Sequence, residues 1–338
     1  MKVHTVLPGP DEYAWTFGGE EARVTIAPGD VVELFTEDCF AGRIQGLDDL
    51  PSRRITYPYI NPQTGPFHVE GAEPGDTLAV HLIDVRPARN WAVSTTVELL
   101  GRSPGPGTRH HSSRRCPSGY GATTSTSSAA ASSSLPSTPT TASASRSSLS
   151  TERSAWRRRP SRSATSLFPR PSGATWTHLR CAPAPVYLGV NVPGALFSLG
   201  DGHCTMGEGE ACGVAVEGAM DTVLTVEVLK GTFCEWPRIE SDEAVMVAGS
   251  YRPLEDAFRI AHVEMVHWVS ETTGLSVMDA YQLVSQAARS RIANVCDANY
   301  TVLAKVPKTL LPEVEWMGGT HARLRQVAAA YTSRGARA

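Results

Sequence analysis

Residues 101–185 hold 21 Ser, 12 Arg, 11 Thr, 11 Ala and 10 Pro among 85 positions, with no Val, Ile, Lys, Asn, Gln, Asp or Met. A segment without β-branched aliphatics has little with which to bury one face of a strand, so a core must come from the sequence on either side. Twelve arginines against the single acid Glu152 leave +11 there; since the whole chain carries −3, the remainder carries −14. Composition alone reads as a disordered basic linker, or as an arm for nucleic acid or another partner.

The genetic code supplies a third reading. Trp is always TGG, so one base out of register the end of Trp176 and the start of Thr177 spell GAC, an Asp. Permitted third bases in residues 172–175 extend this upstream to Gly-Gly-Asn-Met, and those after it give Thr-Pro. The hidden text is ordinary globular sequence, whereas the visible text is not. On this reading 101–185 is a frameshifted stretch closed by a compensating shift.

The flanks behave like one folded protein. The chain of 338 residues is long enough for one large domain or two ordinary ones. ARVTIAPGDVVELFT (22–36) and PFHVEGAEPGDTLAVHLIDVR (66–86) each read as strand, Pro-Gly-Asp turn, strand, so each PGD marks a hairpin or a corner between related β-units. VYLGVNVPGALFSLGDGH and CGVAVEGAMDTVLTVEVLKG add further strands. After Pro253 the period becomes helical, with Leu254, Ala257, Phe258, Ala261, Met265, Trp268 and Val269 on one stripe. Gly274 stops that helix, Ser276 and Asp279 cap a second through about Arg289, and a hairpin around Asp297-Ala298-Asn299 follows. The expected fold class is α+β and β-rich, with sandwich- or barrel-like sheets and a helical C-terminal portion. Residues 1–100 and 186–312 form two parts of one domain, and 313–338 form a tail.

Several functions are disfavoured. A net charge of −3 argues against a dedicated nucleic-acid binder. No apolar run has the length of a membrane span, and MKVHTVLPGPDEYAWTFGG lacks the apolar core of a secretory leader. Seven cysteines without CxxC spacing suit a reduced, cytoplasmic protein.

Acid and His clusters fall in turns between strands: Asp38, then His68, Glu70 and Asp76, then Asp201 and His203, then Glu208 and Glu210. Carboxylates with imidazole can hold a divalent cation, and a spare carboxylate can move protons. Asp76 within PGD reads first as a turn former, Cys39 as a buried thiol, and His262 and His267 as surface or packing residues of a helix.

The motifs DCFAGRI, NPQTGPFHVEGAEPGDTLAVHLIDVRP, VNVPGALFSLGDGHCTMGEGEACGVAVE and SVMDAYQLVSQAARSRIANVCDANYTV resemble the acetamidase/formamidase family. The resemblance covers about residues 1–100 and 186–312. It implies hydrolysis of short linear amides to carboxylate and ammonia in a cytoplasmic homo-oligomer, with a divalent metal (zinc, or else calcium) and no organic cofactor. Asp38, Asp201 and His203 are the expected metal ligands, and Glu70 and Glu210 the expected proton carriers. The expected partner is a small amide, with no nucleic acid and no membrane. The family carries Gly-Gly-Asn-Met-Asp ahead of VYLGVNVPG, where this chain reads Gly173-Ala174-Thr175-Trp176-Thr177. That departure leaves impaired catalysis, or a catalytically dead small-molecule-binding homologue, as the alternative.

Overall fold

The computed structural model describes residues 1–17, 20–56, 59–95, 163–164, 184–297 and 299–335. The frameshift reading of 101–185 therefore falls almost wholly outside the described residues. The N-terminal elements are β1 (Val3–Val6), β2 (Thr16–Phe17), β3 (Val24–Ile26), β4 (Val31–Thr36), α1 (Pro51–Arg54), β5 (Gln63–Val69) and β6 (Thr77–Pro87). Then come β7 (Ser163–Ala164), β8 (Pro185–Gly189), β9 (Phe197–Gly200), β10 (His203–Thr205), β11 (Val216–Glu217), β12 (Met220–Leu229), β13 (Arg238–Glu240) and β14 (Ala244–Tyr251). The C-terminal part is α2 (Leu254–Thr273), α3 (Val277–Ala287), β15 (Arg289–Asn294), β16 (Tyr300–Pro307) and α4 (Thr320–Gly335).

Nine strands form one sheet in the order β1-β4-β12-β6-β8-β13-β14-β16-β15, and a second sheet is β3-β5-β9. Both PGD turns are corners between these sheets. β3 and β5 lie parallel in the small sheet, while their successors β4 and β6 flank β12 in the large one. Gly29 and Gly75 take φ of +84° and +97°, which a side chain rarely tolerates. Each Asp then accepts the backbone N–H three residues back, Ala27 to Asp30 at 3.3 Å and Glu73 to Asp76 at 2.9 Å. Asp76 also pairs with Lys230, so its role in the turn is structural.

The main core lies between the sheets. Ile26, Phe67 and Phe197 of the small sheet meet Val32, Leu78, Leu82 and Leu224 of the large one. Strand alternation sends Met246 and Ala248 of β14 into that core, and Val245 and Val247 toward a second core under α2 and α3. Trp268 meets Trp316 there edge to face at 5.2 Å.

Three local expectations change. Phe258 is exposed rather than part of the buried stripe of α2. The second helix stops at Ala287, and Arg289 begins β15. The segment taken as a tail contains α4, a helix whose Leu324 is buried against Ala79, Tyr187 and Cys234.

Gly249 sets how closely α2 lies on the sheet. A Cβ there would stand 2.4 Å from the Ala261 nitrogen and 2.5 Å from the Ala257 carbonyl oxygen. Gly249→Ala must push the helix off the sheet, with an expected loss of about 1–3 kcal/mol measured by denaturant unfolding. An unchanged midpoint would contradict this packing.

Candidate active site

The candidate site is built where the chain leaves β9. Asp201 takes φ +61°, and Gly202 follows. A Cβ on Gly202 would meet Met220 Cγ at 2.4 Å and the Gly218 carbonyl at 3.0 Å, so only Gly lets the two backbones close. Gly218 N–H then donates to the Gly202 carbonyl at 2.9 Å, and β10 pairs with β11 so that His203 faces Glu217. His203 Nε2 lies 3.2 Å from Glu217 Oε2 and 3.4 Å from Asp201 Oδ1. All three side chains are buried.

Two overlapping groups result. Donor atoms of Cys39, Asp201 and Glu217 lie within 4.8 Å of one another, as do those of His203, Glu210 and Glu217. Glu217 belongs to both. Its Oε1 accepts the Ala215 N–H at 2.8 Å, which aims Oε2 into the cluster. Glu210 comes from the 208–210 turn with φ +46°. Asn294 Nδ2 donates to Glu210 Oε2 at 3.0 Å, tying that turn to the end of β15. Phe40, Ile44, Ile60, Val93 and Val214 form an apolar cluster with Cys39.

The expected site residues divide accordingly. Asp201, His203 and Glu210 come together. Asp38 is buried beside Cys39 but stands outside both donor groups: its carboxylate accepts the N–H groups of Phe40 at 2.9 Å and Gly42 at 3.0 Å, with Arg89 at 3.4 Å. Glu70 is exposed at the far end of β5. Gln63, at the near end, pairs with Gly200 beside the site, so roughly seven residues of extended strand, about 20 Å, separate Glu70 from it. His68 lies against Gly194 near that far end, and Glu208 is exposed beside Arg291. His262 is half-buried and stacks on Phe258 at 4.0 Å, while His267 is exposed on the same helix.

Sequence reasoning missed Glu217 and set Cys39 aside. The available signal for Glu217 was an acid inside the otherwise small and apolar run VAVEGAM.

Burial raises Glu210 to about 8 and Asp38 to about 7. Burial opposes charging His203, but the Glu217 and Asp201 carboxylates outweigh it and hold its pKa well above the usual range. Burial pushes the Cys39 thiol far up. Protons therefore occupy the cluster at neutral pH, which is what crowded buried carboxylates require when no cation neutralises them. Imidazole, carboxylate and thiol donors at this spacing fit a divalent ion of the zinc type. His203 Nδ1, also buried, has no hydrogen-bond partner, while Glu217 Oε2 is met by His203 Nε2 at 3.2 Å.

The sign of the linkage gives a test in divalent-free buffer. A raised His203 pKa stabilises the fold fully below its ordinary value of about 6.5, and this contribution is lost as pH rises through the raised value. Glu217→Gln keeps the bond from Ala215 but removes the leading carboxylate. The variant is expected to show a shallower loss of stability above pH about 6.5 in denaturant titrations. Parallel pH curves would contradict the pairing.

Comparison with known proteins bears on this arrangement. The model of the Acetamidase/Formamidase family matches residues 20–126 and 110–311. An acetamidase structure from Yersinia enterocolitica is 31% identical, covering 92% of this chain and 93% of that one with a TM-score of 0.78. An acetamidase/formamidase structure from Thermoanaerobacter tengcongensis shares the fold, with TM-score 0.69 at 24% identity over 91% and 97% of the two chains. A Schizosaccharomyces pombe relative bearing a formamidase name is 34% identical over 73 residues, 21% of this chain and 18% of that protein. The match thus spans under a fifth of that curated relative's length. By the extent of the family match and of the likeness to the Yersinia structure, the chain belongs to the Acetamidase/Formamidase family.

Proposed function

We propose that the cluster around Glu217 serves an amidohydrolase that cleaves short linear amides, of the formamide and acetamide kind, with a divalent cation. The observation that supports this most is the burial together of Asp201, His203 and Glu217, with His203 Nε2 3.2 Å from Glu217 and 3.4 Å from Asp201, in a chain of this family. Zinc is favoured over calcium because an imidazole and a thiol stand among the oxygens. No organic cofactor is needed for the reaction.

Asp201, His203 and Glu217 would hold the cation, with Cys39 on the Asp201 side. When bound, it supplies polarisation of the amide carbonyl and acidification of water. The chain's own groups do the rest. The apolar cluster of Phe40, Ile44, Ile60 and Val93 packs on the Cys39 side and shields it from water. Without a cation in the cluster, burial pushes the Glu210 pKa up to about 8, which suits this carboxyl to hold a proton. Asn294 occupies Oε2, leaving Oε1 to carry that proton toward the departing nitrogen. Water adds to the carbonyl carbon, the carbon–nitrogen bond breaks, and the products are carboxylate and ammonia.

The second reading, a binding homologue without turnover, is supported by residues 173–177, Gly-Ala-Thr-Trp-Thr, which provide no carboxylate where the shifted frame provides Asn-Met-Asp. No described helix is long and apolar enough to cross a membrane. We place the protein in the cytoplasm as a homo-oligomer without nucleic-acid partners. An exposed apolar face of Phe258, Val263, Val277, Met278 and Tyr281 supports self-association.

Ammonia release from acetamide and formamide is the deciding measurement, made on this chain beside one with 101–185 restored to the alternative frame. The restored chain is expected to be at least about 100-fold faster, and Glu210→Gln in it to lower kcat by about 10²–10⁴-fold. Equal release by the two chains would remove the reading of impaired catalysis; no release by either would remove the hydrolase reading.

A further inference from the structure

Away from that site, the face of the large sheet beneath α4 holds a second polar group. His81 on β6 is fully buried, and neither ring nitrogen has a hydrogen-bond partner. Thr225 stands directly across from it on β12, also fully buried, and its hydroxyl has no partner. His321, in the first turn of α4, is turned so that Nε2 lies 2.9 Å from Asp242 Oδ1, while its buried Nδ1 has no partner. A carboxylate only accepts, so Nε2 carries the hydrogen and Nδ1 of the neutral ring presents a lone pair. Unsatisfied polar atoms on three adjoining side chains call for a common partner, which can reach one of the two His81 nitrogens together with Thr225 and His321.

The spacing decides which partner fits. The His81 and His321 ring centroids are 6.5 Å apart with planes at 72°. With each nitrogen about 1.1 Å from its centroid, a direct N–H···N bond holds centroids about 5.2 Å apart. Two imidazoles on one tetrahedral zinc also stand about 5.2 Å apart. A water about 2.9 Å from each nitrogen, at a tetrahedral angle, spans about 6.5 Å. We propose that His81, His321 and Thr225 form a binding site for one buried water, which clamps α4 to the sheet and releases it in acid. The water donates to His321 Nδ1 and keeps one hydrogen and two lone pairs for His81 and Thr225.

Acid sensitivity follows from what surrounds His81. Burial disfavours a positive charge on His81 most, and His321 in its protonated form and Arg325, which face it from α4, add to this; together they lower His81 to about 4. Asp242 is engaged by His321 and Arg325, and Glu227 on β12 by Arg323. On the β8 side Tyr187 donates to Glu240, which also holds Lys308. Further along β6, Asp84 is paired with Arg86. Each of these carboxylates already has a partner. α4 itself has little apolar anchorage beyond Leu324, so it belongs with the low-stability elements that open locally. The sign is that of a lowered base: the docked state is favoured fully above pH about 6.5 and loses that advantage as pH falls toward 4.

Hydrogen exchange of the full chain at α4, corrected for intrinsic rates, is the test. Between pH 7.5 and 4.5 the opening equilibrium of α4 is expected to rise about 70-fold while α2 stays protected. His81→Gln, which keeps a polar partner but does not titrate, should remove most of that rise. An acid response of the same size in His81→Gln, or none in the wild type, would overturn the clamp. If that variant does not fold, titration of the wild-type His81 ring by ¹⁵N-histidine NMR decides instead: protonation near 4 supports the proposal and protonation near 6.5 overturns it. A crystal structure showing solvent density within hydrogen-bond reach of His81, His321 and Thr225 would support the water, and rings in direct contact would exclude it.

Discussion

The pairing of His203 with Glu217 is the contact on which the site depends. It places an imidazole and a carboxylate in a volume already holding Asp201, Cys39 and Glu210, and burial denies that group the solvation its charges would have in water. Such a set persists only with protons or a cation, and both serve hydrolysis: a held proton can be given to a leaving nitrogen, and a held cation can polarise a carbonyl. The surrounding glycines are part of the same requirement. Gly202 and Gly218 allow β10 and β11 to approach, and a side chain at either would collide with Met220 or Cys204.

That pairing in turn rests on a fold in which neither flank can stand alone. β6, from the N-terminal part, lies between β12 and β8 from the C-terminal part, and β5 lies between β3 and β9. Removing either flank would strip partners from long buried strands and expose their edges. The two PGD corners produce this interleaving by passing the chain from the small sheet to the large one twice in the same way. The +11 segment 101–185 falls between the two flanks, so its sequence bears on whether they meet.

Legibility followed the range of the interaction involved. The PGD turns, the Gly274 stop and the Ser276 cap depend on neighbours in sequence and were readable from it. Which sheet each strand joins depends on distant partners and was not. Asp201 and His203 could be singled out because glycines surround them, whereas Glu217 looks like an ordinary strand acid until β10 is laid beside β11. Glu70 misled because its turn resembles the others, although a seven-residue strand carries it to the opposite end of the small sheet. α4 escaped notice because Leu324 gives it only one deeply buried apolar side chain, too little for a helical stripe.

The molecule holds two buried histidines whose responses to pH have opposite signs. Acids flank His203, so protonation there favours the folded state. His81 is enclosed by the sheet and by the cationic side of α4, so protonation there opposes it. Acid would therefore favour the His203–Glu217 cluster without metal and, on the proposed clamp, loosen the C-terminal helix, at separate parts of the fold. His203 sits in the β10-β11 pair, whereas His81 projects from the face of β6 opposite the main core. A change in α4 need not disturb the geometry of Glu217, because α4 packs on β6 and β12 of the large sheet and Glu217 belongs to the separate β10-β11 pair.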